Sequence, residues 1–147
     1  MSSPIQFFCE GVQFTLKHKT IVRKWLKEVI LEERRKPWYI NFIFCDDAYL
    51  LELNKTYLKH ETLTDILTFP YIEDAETISG DIFISIDRVR ENAIKFDQAF
   101  EIELLRVIVH GVLHLIGYTD SEKANKNIMT RKEDFYLGKY NQKMNLA

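Results

Sequence analysis

Glycine and proline are scarce, at five and three of 147 residues. That scarcity excludes collagen-like and proline-rich low-complexity chains. Two cysteines, Cys9 and Cys45, are too few for a disulfide scaffold at this length, and both sit in apolar runs, so both are expected as buried free thiols. No stretch approaches the ~20 apolar residues of a membrane span. The opening MSSPIQFFCEGVQF lacks a basic start followed by roughly 7–15 apolar residues, the mark of a targeting segment. A cytoplasmic location without a membrane partner is therefore expected. Excess charge of one sign is missing too: 22 acidic against 20 basic residues give a net of −2. This balance excludes a strongly basic coat or histone-like protein, yet leaves room for a local basic cleft, because affinity follows the charge at the contact. What is present is ordinary globular material. Hydrophobic residues are 46% and charged residues 29%, enough for one core and too apolar for a disordered chain. The length fits a single domain over residues 1–147.

Along the chain, Ile5 to Cys9 is short and apolar and reads as a strand. From Thr20, the residues Ile21, Val22, Trp25, Leu26, Val29 and Ile30 recur every three or four positions, the spacing of an amphipathic helix that ends before Pro37. The aromatic and β-branched run Trp38 to Cys45 predicts a strand buried largely on both faces. Asp46 or Asp47 is placed to cap a helix carrying Leu50, Leu51, Leu53 and Leu58. Strands are expected at Ile66–Phe69 and Ile82–Ile84, with a solvated acidic loop at Glu73–Glu76 between them. Helices are expected at Val89–Phe96, Phe100–Ile116 and Ser121–Lys139. The second of these is apolar around most of its circumference, the signature of a buried helix. The order implies an α+β domain: a small mixed sheet of about four strands packed by helices, with the apolar helix central.

The chemistry concentrates in His110–Asp120, HGVLHLIGYTD. His110 and His114 stand one turn apart on one helix face, close enough for two imidazoles to converge on one metal ion. Gly117 falls where the helix should stop, because glycine readily takes the positive-φ conformation that ends helices. The chain then turns back through Tyr118 and Thr119, and Asp120 becomes a candidate third ligand. Two imidazoles and one carboxylate leave a fourth position open, the arrangement of catalytic zinc sites. Two other readings of the histidines stay open at this point: a hydrogen-bonded pair in the core, or His110 alone as a base. In the zinc-protease pattern H-E-x-x-H the Glu after the first His is the general base. Here that position is Gly111, which cannot move a proton, so peptidase chemistry is disfavoured. The same ligand types also occur in non-haem iron oxygenases, but nothing in the chain suggests an oxoacid cosubstrate site.

The segment resembles the YbeY endoribonucleases, whose pattern is close to HGxLHLxGYDH. His110, Gly111, Leu113, His114, Leu115, Gly117 and Tyr118 match it. Further matches follow the family's order: Asn54 and Tyr57, then TDILTFP from Thr64 to Pro70, then Gly80-Asp81-Ile82 with Ile84-Ser85, and Met129 with Glu133. The resemblance implies an α+β fold, one zinc ion per chain held by His110, His114 and Asp120, and a catalytic role for the two histidines. It also implies single-strand-specific RNA cleavage, small-subunit rRNA 3′-end maturation and ribosome quality control, with RNA and the small ribosomal subunit as partners and no role for DNA. Two positions depart from the pattern. Asp120 stands where the family usually has a third histidine; a carboxylate binds zinc at a similar length, and its negative charge lowers the Lewis acidity of the metal. Leu58 follows Tyr57 where the family has an arginine associated with RNA cleavage.

Zinc stabilises charge on a phosphoryl oxygen or acidifies its water, and RNA brings its own 2′-hydroxyl, so a peptidase-type Glu is dispensable. Asp65 is a candidate for a base or for a capping or strand-edge role. Candidate RNA contacts are Lys55, Lys59, His60, Arg88 and Arg90, with Tyr71 and Tyr118 as aromatic candidates for stacking. Rival readings are a ribosome-binding assembly factor with little catalysis and a zinc hydrolase of another substrate.

Overall fold

The computed structural model describes residues 3–72 and 76–146. The elements run β1 (Ile5–Glu10), α1 (Lys19–Glu32), β2 (Lys36–Cys45), α2 (Asp47–Leu53), a π-helical turn (Asn54–Leu58), β3 (Ile66–Pro70), β4 (Thr77–Ser85), α3 (Ile86–Lys95), α4 (Phe100–Ile116) and α5 (Lys123–Leu146). The expected α+β architecture is present. One four-stranded sheet has the order β1-β2-β4-β3. β1, β2 and β4 are parallel, and β3 pairs antiparallel with β4 at the sheet's edge. Of the acidic loop expected at Glu73–Glu76, positions 73–75 lie outside the described residues.

The sheet is covered unequally on its two faces. Phe42, Phe44, Ile82 and Ile84 belong to the main core with Trp25, Leu26, Val109 and Val112 of α1 and α4. On the other face Cys45, Leu50 and Leu67 form a small cluster backed by Phe69 and Phe83. Alternation along the strands sends successive side chains to opposite faces, so the larger cluster takes 42, 44, 82 and 84 and the smaller one takes 45 and 83. α4 crosses the main face very closely. A Cβ on Gly111 would come within 2.9 Å of Ile66 Cδ1 and of Ile82 Cγ2. Glycine at this helix position therefore serves contact between α4 and the sheet.

Local signals account for most boundaries. The Asp46 side chain accepts a hydrogen bond from Tyr49 N at the start of α2, and Ser85 accepts from Arg88 N at the start of α3, as N-caps do. α4 spans the expected Phe100–Ile116. β4 is longer than the expected Ile82–Ile84, and α5 runs seven residues past Lys139, to Leu146.

Two expectations are corrected. Trp38 and Tyr39 are exposed, not buried. They lie where the β2–β4 register shifts, between Pro37 and Ile40, so they miss the two-sided cover that Ile40–Cys45 receive. Cys9 is an exposed thiol, because the last three residues of β1 are exposed at the sheet's other edge. Cys45 is buried as expected, and burial, with the nearby Asp46, Asp47 and Asp87, pushes its thiol up to about 12.

Candidate metal centre

One face of α4 carries Glu103, Val107, His110 and His114 into a cavity of about 640 Å³. The spacing of three to four residues puts them on one stripe. Thr64 to Thr68, leading into and along β3, form one wall, and Lys126, Met129, Thr130 and Glu133 of α5 form another. Asp120 also lines this cavity. How it gets there is visible in the chain's turn. Tyr118 N donates to Leu113 O and Gly117 N to His114 O, both at 3.1 Å, the bond pair that closes a helix around a glycine. Gly117 has φ +127°, a conformation that other residues rarely take. The turn is held from outside on both sides of Gly117. Arg35 Nη2 donates to Ile116 O at 3.1 Å, and Tyr118 Oη donates to Glu33 Oε1 at 2.6 Å.

His110 is the most constrained side chain of the site. Its Nδ1 lies 2.7 Å from Glu133 Oε2, while Glu133 Oε1 accepts from Arg106 Nη1 at 3.1 Å. Arg106 Nη2 donates in turn to Asp134 Oδ1 at 2.7 Å. In the neutral imidazole, a proton on Nδ1 directed at the carboxylate leaves the lone pair on Nε2. That nitrogen stands 3.5 Å from Asp120 Oδ2. Burial alone lowers the His110 pKa, but the Glu133 hydrogen bond and the charges of Glu133, Asp120 and Asp65 outweigh it and raise the pKa above its ordinary value. Burial holds the carboxyls of Asp65 and Glu103 above the usual carboxylate range, with the charges of His110 and Arg106 respectively offsetting part of the rise.

His114 borders the same cavity and is exposed, and its imidazole makes no hydrogen bond with another described residue. Among the described residues no three His, Cys, Asp or Glu side chains are gathered closely enough to close around an ion. The pair His110–Asp120 suits one nevertheless. Two donor atoms each ~2.1 Å from a tetrahedral zinc ion stand about 3.4 Å apart, close to the 3.5 Å found here. A carboxylate on the far nitrogen is also how metal-bound histidines are held.

The other candidates divide. Asp65 lines the cavity; its carbonyl accepts from Ser85 N at 3.0 Å and its Oδ2 from Asn92 Nδ2 at 3.4 Å. Lys55, Lys59 and His60 are not among the cavity's lining residues. Arg88 is committed to Asp47 through Nε at 3.0 Å, and the Arg90 guanidinium lies 5.5 Å from the Phe100 ring centroid. Tyr71 bonds Asn41 and Asp81, and Tyr118 bonds Glu33. Among the lining residues that went unassigned in the sequence are Glu103, Arg106, Phe96 and Lys126. The first two were within reach, because they sit on the histidine stripe at helical spacing. Glu133, noted only as a motif match, gains its role from the packing of α5 on α4.

Comparisons with known proteins agree on one family. The sequence model described as "Endoribonuclease YbeY" matches residues 6–141. A protein of that name from Flavobacterium psychrophilum is 48% identical over 134 residues, covering 91% of this chain and 95% of that protein. Another from Amoebophilus asiaticus is 44% identical over 133 residues, covering 90% of each. A protein from Thermotoga maritima with a known solution structure superposes with a TM-score of 0.66 at 31% identity, covering 92% of this chain and 88% of that one.

Proposed function

The chain belongs to the endoribonuclease YbeY family; it is a hydrolase of RNA phosphodiester bonds, and we propose that it cuts single-stranded RNA with one zinc ion held by His110, His114 and Asp120. The observation that supports this most is the His110 imidazole, fixed at Nδ1 by Glu133 and turned at Nε2 towards Asp120 in the cavity that His114 borders. A bound zinc ion supplies Lewis-acid stabilisation of the charge that develops on the phosphate. The chain's own residues supply the rest. Glu133 fixes the His110 tautomer and ring plane, and Arg106 fixes Glu133. Lys126, on the cavity wall, offers a cation to the RNA backbone. Asp65 and Glu103 border the same space with carboxyls that take up a proton more readily than usual. We assign small-subunit rRNA as substrate, 3′-end maturation as the step, and the cytoplasm as the place.

The test is cleavage of single-stranded rRNA fragments by the purified chain, with elemental analysis in parallel. His114→Ala is expected to lose both bound zinc and cutting, and chelation is expected to stop the wild type. A metal-free variant with full activity contradicts the proposal. One observation favours a second reading, a ribosome-binding factor with little catalysis: the cavity wall carries Leu58 where the family pattern has an arginine. Binding to the small subunit without chelator-sensitive cuts selects that reading.

A further inference from the structure

Two helical segments end at the cavity with an apolar side chain. Leu58 closes the π-helical turn, and Phe96 follows the last residue of α3. Both line the space that holds His110, His114 and Asp120. Neither is covered: Leu58 is 44% and Phe96 55% exposed. Each is followed by a non-glycine residue with left-handed backbone, Lys59 at φ 56° and Asp97 at φ 53°. Such residues carry a conformational cost and persist where the surroundings enforce them.

At Phe96 the enforcement is visible. Phe96 N donates to Asn92 O at 2.9 Å, Asp97 N to Ile94 O at 3.2 Å and Gln98 N to Ala93 O at 2.9 Å. The ring therefore hangs from a backbone fastened before and after it, while half its surface faces water. A fixed, exposed aromatic ring gains free energy when a flat apolar partner covers it. Lys95 Nζ lies over one face of the Phe96 ring, 5.6 Å from its centroid, while the ring stays 55% exposed, and Lys126 lines the same cavity. An exposed ring and ammonium groups at the same cavity match the two parts of a nucleotide, base and phosphate.

We infer that Phe96, which shares the cavity wall with Leu58, is a stacking surface for an unpaired nucleobase of the RNA strand whose phosphodiester enters the cavity. The inference rests on the endoribonuclease reading and extends it to how the strand is gripped. Every base offers a π-face, so this grip is tolerant of sequence. It needs a base free of its neighbours, which a duplex does not offer.

The experiment measures binding of a fluorescein-labelled, 2′-O-methylated single RNA strand to the metal-loaded full chain by fluorescence anisotropy. Phe96→Ala is expected to weaken binding roughly ten-fold, within the range for losing one stacked base, and Phe96→Trp to restore it. On a ribose-phosphate strand without bases, wild type and Phe96→Ala are expected to bind alike. Ile94→Ala is the control: Ile94 is 80% exposed on the same helix and does not line the cavity. Wild-type affinity in Phe96→Ala, or an equal loss on the base-free strand, overturns the stacking assignment. Cleavage of unmodified RNA by the wild type, run in parallel, separates the two levels. If the wild type neither binds nor cuts RNA, the endoribonuclease reading fails and the inference falls with it.

Discussion

Two carboxylates, Glu33 and Glu133, have side chains exposed to the same extent, 9% each, yet they do different work. Glu33 is saturated by donors with nothing further to give: Tyr118 Oη, Tyr136 Oη, and Lys132 Nζ at 2.9 Å. It ties the end of α1 to α5 and to the turn after α4, and the cluster ends there. Glu133 takes Arg106 on one oxygen and His110 on the other, and His110 keeps a second nitrogen that faces the cavity. A closed polar cluster fixes the backbone. An open one fixes a side chain whose remaining valence is free for a ligand. The two meet in one short segment, because Tyr118 belongs to the first cluster and Asp120, two residues on, to the second.

That contrast is broken most forcefully at Glu33. Glu33→Ala leaves two tyrosine hydroxyls and an ammonium without their acceptor, and each such loss costs about 1–3 kcal/mol when buried. With Lys132 partly exposed and discounted, chemical denaturation is expected to show about 3 kcal/mol of lost stability. Glu133→Gln addresses the open cluster. Competition against a chromogenic chelator is expected to show zinc binding weakened about 10–100-fold, as when an outer carboxylate is lost from a metal-bound histidine, with a smaller change in stability. Equal effects of the two variants on both readouts erase the distinction. Gly117→Ala tests the segment the clusters share. An added Cβ meets nothing within 4 Å, so the cost is that of the positive-φ backbone alone, about 1–2 kcal/mol. Zinc affinity is expected to fall with it, because the same turn carries Asp120.

The smallest effect is a pH dependence. Burial raises the Glu33 carboxyl, but the hydrogen bonds from Tyr118, Tyr136 and Lys132 outweigh it and hold its pKa below the ordinary 4.5. The folded state thus favours the ionised form, and the unfolded chain binds the proton first as pH falls. The stabilisation is fully present above about pH 4.5 and is lost as pH drops through the lower folded value. The stability gap between wild type and Glu33→Gln, followed by denaturation at stepped pH, is expected to narrow in that acidic window. A gap that widens there contradicts the assignment.

Much of this was legible in the residues. The period of apolar positions in Phe100–Ile116 marked the buried helix, and Gly117 marked its end, because both signals are local. One helix and one turn were enough to expect Asp120 near His110, and their side chains lie 3.5 Å apart. The partner of His110 was not legible: Glu133 is 23 residues further on, and only the packing of α5 against α4 brings it near. Trp38 and Tyr39 misled because their composition suits a buried strand, while their exposure is decided by a register shift between β2 and β4. Arg88 and Arg90 looked free in the sequence. Asp47 and the Phe100 ring, which engage them, come close only in the folded chain.

The central claim is a zinc ion bound by side chains separated by a turn of helix and a glycine stop. X-ray absorption at the zinc edge of the loaded chain tests it most directly. The account predicts light-atom ligands with the multiple-scattering pattern of two imidazoles, and a His114→Ala variant that keeps no zinc to give that pattern. A spectrum without imidazole scattering, or one unchanged by His114→Ala, contradicts it.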